Sequence, residues 1–271
     1  YFRPKEKNWW SVGDDGPCGP DTEMFYDTTG TLGNGLTLEE YIKADDEQKL
    51  VEIWNDVFMQ FLKKDGKVVG PLTQKNVDTG SGLERLVMVV QGKNNIFDTD
   101  LFSPITDELV KRYGQFFNEK SKRIVADHVR TAVFMMADGV FPSNTGRGYI
   151  LRRLLRRAIF QAWKFSPKLT NVLRLTETVI KIYDGVYPEL ENKKKDIADI
   201  FEKEESKFMK TIKQGEKEFE KISDKDISGV DAFNLSSTFG FPFDLTKELA
   251  EEKGISIDEV GFNEEFKKHQ E

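Results

Sequence analysis

The sequence predicts an α+β protein whose two parts differ in pattern. Two strand-like segments joined by a turn signal lie before residue 95, whereas helical periodicity dominates after it. Proline and glycine breaks divide the later part into separate helices. We therefore expect an antiparallel β-sheet with helices over residues 1–100, followed by an all-helical part over residues 101–271.

The strands are predicted from composition and turn chemistry. Residues 50–62 are rich in β-branched and aromatic side chains, and residues 64–67 (Lys-Asp-Gly-Lys) are a hairpin turn signal before Val68 and Val69. A glycine-containing turn at residues 78–82 then leads into an apolar helix over residues 83–91. This part should read strand, hairpin, strand, glycine turn, helix.

The helical part contains an arginine-rich amphipathic helix. One face carries leucine, isoleucine and alanine side chains, and the other carries Arg152, Arg153, Arg156 and Arg157. Gly146 and Gly148 are expected to form a flexible polar loop before this helix. That loop would present Asn144.

Two more helices are predicted towards the end of the sequence. Residues 189–226 are highly charged but keep a narrow apolar stripe, which is typical of a structural amphipathic helix. Asp244 is expected to cap a short helix that Gly254 ends.

The charge of the chain is uneven. The formal net charge is −7, yet residues 121–165 contain nine Lys and Arg residues against two Asp residues. A basic block of this kind is a candidate footprint for phosphate, usually of nucleic acid. The alternative is an arginine-rich helix face that is solvated or paired with acidic segments elsewhere in the chain.

Composition excludes several classes of protein. The 271 residues suggest roughly two domains, and no apolar run approaches the ~20 residues of a membrane-spanning helix. A single cysteine, Cys18, excludes an internal disulfide and a multi-cysteine zinc site, and two histidines leave few metal ligands. We expect a cytoplasmic protein in which Cys18 is a packing residue.

The turn at residues 78–85 is the strongest local candidate for a ligand site. Gly80 and Gly82 allow a tight turn and close approach of a ligand, and the helix after them favours anions at its start. Arg85 could stack on a planar base or pair with a phosphate, and Asp78 suits an ammonium group. A plain connection between strand and helix is the alternative.

Several stretches together resemble the alanyl-tRNA synthetase family over residues 8–268. They include NWWSVGDDGPCGPDTEMFYD, VEIWNDVFMQF, NVDTGSGLERL, RIVADHVR, ADGVFPSNTGRGYILRRLLRRA and FGFPFDLTKELAEEKG. The resemblance implies part of a class II synthetase catalytic domain, with its antiparallel sheet, followed by a helical tRNA-recognition domain. It also implies ATP-dependent attachment of alanine to tRNA through alanyl-adenylate, with Mg²⁺ bound with the ATP and no enzyme nucleophile.

The resemblance implies roles for individual residues. Asp78 and Arg85 would be the catalytic residues, with Asp78 pairing with the ammonium group of alanine. The segment from Gly80 to Arg85 is similar to class II motif 3. The alanine pocket would be lined by Trp10, Asn55, Val57, Asp78 and Gly80. ATP would contact Gly80, Gly82 and Arg85.

The same resemblance implies contacts with the acceptor stem of the alanine tRNA. Asn144 matches the residue that reads the G:U pair at the third position, and Ser237 stands where the family commonly has an Asp beside it. A serine cannot supply the charge-assisted bond of an aspartate, which is roughly twice as strong as a neutral one. The stem backbone would be held by Arg147, Arg152, Arg153, Arg156 and Arg157.

The sequence begins at Tyr1 rather than Met, so we expect a piece of a longer synthetase chain. Class II motifs 1 and 2 would lie upstream and the editing domain downstream. On this view the piece alone would not activate alanine, would not edit, and would bind no editing-site zinc. The alternatives are a stand-alone tRNA-binding module, or half of a split synthetase completed by another chain.

Overall fold

The computed structural model describes residues 7–114, 118–168 and 170–270. The chain divides into two compact units, residues 1–103 and 104–271. The first contains an antiparallel sheet with helices and the second is helical in its described residues, so the α+β prediction is confirmed. The boundary expected from the sequence lies a few residues earlier, between residues 100 and 101. Within the described residues, no helix has the length and apolar character needed to cross a membrane.

The first unit is built on a four-stranded antiparallel sheet in the order β1-β2-β3-β4. Two helices accompany it, and a 3₁₀ turn follows at Ile96–Asp98. The bounds are β1 (Trp9–Ser11), β2 (Gly16–Asp27), α1 (Leu38–Asp46), β3 (Leu50–Lys64), β4 (Lys67–Ser81) and α2 (Leu83–Val90).

The hairpin between β3 and β4 has the predicted turn. Lys64 pairs with Lys67, and both Asp65 (φ 48°) and Gly66 (φ 73°) are left-handed. Two positive φ values in a two-residue loop suit the twist of antiparallel strands. The predicted helix after Gly82 is also confirmed as α2.

A close approach between β2 and β3 explains one glycine of the Gly-Pro-Cys-Gly-Pro stretch. A Cβ at Gly19 would lie 1.7 Å from the backbone oxygen of Phe58, so no other residue fits without a shift of the strands. The register is irregular between Cys18 and Asp21. The side chain of Cys18 is fully buried, as expected of a packing cysteine.

The second unit consists of helices of very different lengths, with a 3₁₀ turn at Val172–Arg174. The bounds of the described helices are α3 (Ser103–Tyr113), α4 (Glu119–Ala137), α5 (Gly146–Phe165), α6 (Leu175–Ile182), α7 (Pro188–Asn192), α8 (Lys194–Ile222), α9 (Gly229–Ser237), α10 (Phe243–Lys253) and α11 (Glu259–Gln270).

The long helix α8 organises this unit. Its predicted apolar stripe is buried, and the buried members include Ile197, Phe201, Phe208 and Phe219. At Gly215 the helix has a notch filled by the ring of Phe241, because a Cβ there would lie 2.3 Å from Phe241 Cδ2. Both arginine-bearing α5 and the turn that holds Phe241 therefore contact the same helix.

Two local expectations are wrong. Asp244 does not cap α10, because the N-cap position is Pro242. The Asp244 carboxylate instead forms an ion pair with Arg153, with 2.7 Å between Oδ2 and Nε. Gly146 and Gly148 do not form a loop before α5, because the helix starts at Gly146. Gly148 is helical and buried, and a Cβ on it would lie 2.4 Å from the backbone oxygen of Phe141.

Candidate functional site

Four of the five residues expected to bind alanine are neighbours on one face of the sheet. Asn55 on β3 is the Cα partner of Gly80 on β4, and Val57 is the partner of Asp78. Directly opposed residues share a face, as do residues two apart on a strand. The fifth residue, Trp10, lies on β1 opposite Gly19.

The two rows continue onto β2. Asp21 is the Cα partner of Val57, and Glu23 is the partner of Asn55. The side chain of Asn55 donates from Nδ2 to Asp21 Oδ2 at 3.3 Å, and Asn8 Nδ2 donates to the backbone oxygen of Asp21 at 3.4 Å. Asp21 thus joins the predicted site, although the sequence pattern gave it no role.

Three buried oxygens at this place have no hydrogen-bond partner within the described chain. They are Asn8 Oδ1, Asp21 Oδ1 and Asn55 Oδ1. Buried acceptors are nearly always paired in proteins, and an ammonium group offers three donors and no acceptor. The chemistry of this cluster therefore fits the charged amino end of an amino acid.

The strand that carries Asp78 is held by a short relay of hydrogen bonds. The indole of Trp54 donates to the hydroxyl of Thr79, which in turn donates to the backbone oxygen of Asn55 at 3.3 Å. The backbone N–H of Thr79 donates to Asp78 Oδ1 at 2.9 Å. Asp78 itself is exposed, so its carboxylate can be reached by a solute.

Arg85 lies in the first turn of α2 and is oriented by Glu52 on β3. Its Nη1 donates to the backbone oxygen of Glu52 at 2.8 Å and lies 3.4 Å from the Glu52 carboxylate. The guanidinium side chain is 47% exposed. An Arg held in this way presents a planar cation suited to a phosphate or a base. Gly82, at the N-cap of α2, has no side chain that would obstruct a ligand approaching this cation.

The second candidate site lies in the helical unit, around Asn144. Arg152 donates from Nη1 to the side-chain oxygen of Asn144 and from Nη2 to the backbone oxygen of Pro142 at 3.1 Å. Asn144 is exposed, and its orientation is therefore set by an arginine on the following helix.

Two of the predicted tRNA-binding arginines also have an internal partner. Arg156 Nε donates to Glu204 Oε1 at 2.7 Å, and Arg152 Nε lies 3.4 Å from the same oxygen. Their side chains are only 14% and 19% exposed. For these two residues, the burial and the shared carboxylate favour the alternative stated in the sequence analysis, that the arginines pair with acidic residues elsewhere in the chain. Their contact with tRNA stays a prediction.

Of the remaining predicted RNA contacts, Arg147, Arg153 and Ser237 are exposed and Arg157 is half-buried. Arg153 pairs with Asp244 but is 50% exposed. Among the described residues, Arg147 and Arg157 have no acidic partner within the 4.0 Å range of a salt bridge, and Arg147 is exposed. Ser237 is exposed, and its hydroxyl donates to the backbone oxygen of Phe233 at 2.8 Å.

Within the described residues no group of three or more His, Cys, Asp or Glu side chains could hold a metal ion.

Comparison with known proteins gives the class of the molecule. A family model for class II tRNA synthetases, described as tRNA synthetases class II (A), matches residues 2–271. The chain belongs to this family.

Curated relatives narrow the comparison, and they confirm the resemblance to alanyl-tRNA synthetases. The alanine–tRNA ligase of Borreliella afzelii (strain PKo) is 45% identical over 282 residues, covering 100% of this chain and 47% of the relative. That of Treponema pallidum (strain Nichols) is 42% identical over 285 residues, covering 100% and 46%. That of Petrotoga mobilis (strain DSM 10674 / SJ95) is 42% identical over 278 residues, covering 98% and 32%. The chain thus spans from about a third to just under half of the length of these relatives.

Sequence reasoning missed three residues of the two sites. Asp21 lies on β2, a stretch with no predicted site residue, Glu52 is one charge in a strand, and Glu204 is one of many acidic residues on α8. A sequence signal existed for Glu204 alone, because it occupies the apolar stripe of its helix, between Phe201 and Phe208.

Proposed function

We propose that this chain is part of an alanine–tRNA ligase that joins alanine to tRNA at the expense of ATP. The observation that carries the proposal is the alignment of Asn55 with Gly80 and of Val57 with Asp78, beside buried oxygens that await hydrogen-bond donors. This arrangement is what a small amino acid with a charged ammonium group requires.

In the proposed reaction the chain's residues bind and orient rather than bond to substrate. Asp78 holds the ammonium group, and Val57, with Trp10, forms an apolar wall for a methyl side chain. Arg85 holds ATP, and Gly80 and Gly82 allow it to approach the backbone closely. The alanine carboxylate then attacks the α-phosphate of ATP, and pyrophosphate leaves. A ribose hydroxyl of the tRNA later attacks the carbonyl carbon of the alanyl-adenylate, and AMP leaves. Mg²⁺ bound with ATP would neutralise phosphate charge.

The helical unit is proposed to bind the acceptor stem of tRNA. Asn144 would contact the edge of the third base pair in the minor groove, which is the readable groove of an RNA helix. Ser237 would contact the same pair, and exposed arginines of α5 would contact phosphates. We propose that the protein is cytoplasmic, on the sequence argument that its single cysteine can form no internal disulfide.

The test is binding of this chain to two RNA hairpins that copy the acceptor stem, with G:U or G:C as the third base pair, across a salt series. We expect tighter binding to G:U, and we expect Asn144→Ala to abolish the difference. Asn263→Ala, an exposed asparagine on α11, is the matched control and should keep it. Salt-sensitive but equal binding by the unmodified chain would reject base reading. Absence of binding would reject the RNA site altogether.

A further inference from the structure

Glu204 lies at a junction between two arginines of α5. Its side chain is only 6% exposed, and its Oε1 accepts a hydrogen bond from Arg156 Nε at 2.7 Å. Arg152 Nε lies 3.4 Å from the same oxygen. One buried carboxylate on α8 therefore neutralises part of the charge of two guanidinium groups that are one helical turn apart.

The two arginines hold two different turns of the chain. Arg152 continues to the turn before α5, where it donates to the backbone oxygen of Pro142 and to Oδ1 of Asn144. Arg156 continues to the turn between α9 and α10, where its Nη1 donates to the backbone oxygen of Gly240 at 3.5 Å. That turn directly follows Ser237, the last residue of α9.

The bond from Arg152 also decides which way the Asn144 amide faces. Because the side-chain oxygen accepts from the guanidinium, the NH₂ group is the end left for a ligand, and it only donates. A base edge that meets it must therefore present an acceptor. If Arg152 moved, the amide could rotate and offer its oxygen instead.

We propose that Glu204 is a positioning residue that fixes the turn bearing Asn144 and the turn that follows Ser237 relative to each other, and so sets the discrimination between base pairs. The inference rests on the proposed role of Asn144 and Ser237 in reading the acceptor stem. A buried ion pair is by itself weak support for stability. Here Arg152 and Arg156 also donate hydrogen bonds to the turn bearing Asn144 and to the turn that follows Ser237. A purely structural ion pair does not need these contacts.

The experiment compares Glu204→Gln with Glu205→Gln in this chain. Gln keeps the shape and an acceptor oxygen at position 204 but leaves both guanidinium groups without a counter-charge. Glu205 is the adjacent residue on α8, and it accepts from the backbone N–H of Val172 at 2.8 Å rather than from an arginine of α5. Gln at position 205 keeps an acceptor oxygen for the Val172 N–H, so it is a mild change there.

Two readouts are used, RNA binding and backbone hydrogen exchange. For Glu204→Gln we expect the preference for the G:U hairpin over G:C to fall by about fivefold to tenfold, the effect of one misplaced hydrogen bond. We also expect faster exchange at the amides of Ser143 and Phe241, which join the two turns to the backbone oxygens of Gly148 on α5 and Leu235 on α9. Glu205→Gln should change neither quantity. Arg152→Lys is the second variant: it keeps a cation beside Glu204 but lacks the planar fork that reaches both Pro142 and Asn144. It carries the test if Glu204→Gln does not fold.

The outcomes separate this inference from the proposed function. If the unmodified chain prefers G:U, and both Glu204→Gln and Arg152→Lys keep that preference, the positioning role of Glu204 is wrong while the reading of the stem stands. If the unmodified chain shows no preference, the proposed reading falls and the inference falls with it. Loss of preference in Glu205→Gln to the same extent would show a general effect of α8 and also overturn the assignment.

Discussion

Replacing Arg147 and Arg157 together by Ala removes two cations of α5 that have no acidic partner among the described residues. If these side chains contact RNA phosphates, each contact releases bound counterions when the complex forms. Their removal should therefore weaken binding to both hairpins alike and reduce the dependence of binding on salt. The preference between G:U and G:C should stay, because phosphate contacts carry no base information.

The size of the effect follows from the number of contacts. Each phosphate contact contributes about 0.7 to 0.9 to the slope of log K against log salt, so two contacts should lower its magnitude by about 1.4 to 1.8. The assay is fluorescence anisotropy of a labelled hairpin, with Kd measured at several salt concentrations between about 50 and 200 mM.

Arg156→Ala is the contrasting variant. Arg156 is 14% exposed, bonded to Glu204, and stacked over the ring of Phe208 with 4.9 Å from guanidinium carbon to ring centroid. Its removal should reduce the free energy of unfolding by about 3 kcal/mol, the lower end for a broken buried pair because Arg152 still faces Glu204. The salt slope should not change. An unchanged slope in the Arg147/Arg157 variant would refute the phosphate contacts of that pair. A slope lowered by Arg156→Ala would refute the purely internal role of Arg156.

Three further predictions concern packing, pH and substrate binding. Gly215→Ala should lower the free energy of unfolding by about 1 to 3 kcal/mol in a urea titration, because the new Cβ would overlap the buried ring of Phe241. Gly70→Ala, whose new Cβ would have no described atom within 4 Å, should have a much smaller effect in the same titration. Hydrogen bonds from the Thr29 hydroxyl and the Leu32 backbone N–H lower the pKa of Asp27 to about 2. The stabilising effect of the Asp27 carboxylate should therefore be complete above the unfolded pKa of 3.8 and be lost as the pH falls towards 2. The difference in urea midpoint between the unmodified chain and Asp27→Asn should shrink over that window, and a constant difference would contradict this. In an enzyme carrying the whole synthetase sequence, Asp78→Asn should raise the KM for alanine far more than the KM for ATP. The control is Asp56→Asn, at the position between Asn55 and Val57 on β3 that faces the other side of the sheet, and it should leave both KM values nearly unchanged. An unchanged KM for alanine in Asp78→Asn would reject the ammonium contact.

Local sequence signals predicted much of the fold. The hairpin follows from Asp65 and Gly66, which tolerate positive φ, and α2 follows from an apolar run after a glycine turn. The stripe of α8 was readable because burial repeats every three or four residues on a helix. In each case the controlling residues are close together in the chain.

The errors and omissions have a different physical origin. Asp244 has the chemistry of an N-cap but pairs with Arg153, whose position depends on how α5 packs near α10. Glu204 and Arg156 are 48 positions apart, and Asn55 and Asp21 are 34 apart. Such pairs are fixed by tertiary packing, which no periodicity in a single sequence reports.

Gly148 has a consequence for how tolerance to mutation is interpreted in this chain. Even a methyl group there would overlap Ser143 Oγ at 2.3 Å and the backbone oxygen of Phe141 at 2.4 Å, so every larger residue should displace the turn that bears Asn144. In a saturation screen scored by growth, position 148 would thus be as intolerant as a substrate-binding residue. It would owe that profile to the space it leaves for its neighbours rather than to any contact of its own. A screen scored on abundance as well as function would tell the two kinds of position apart.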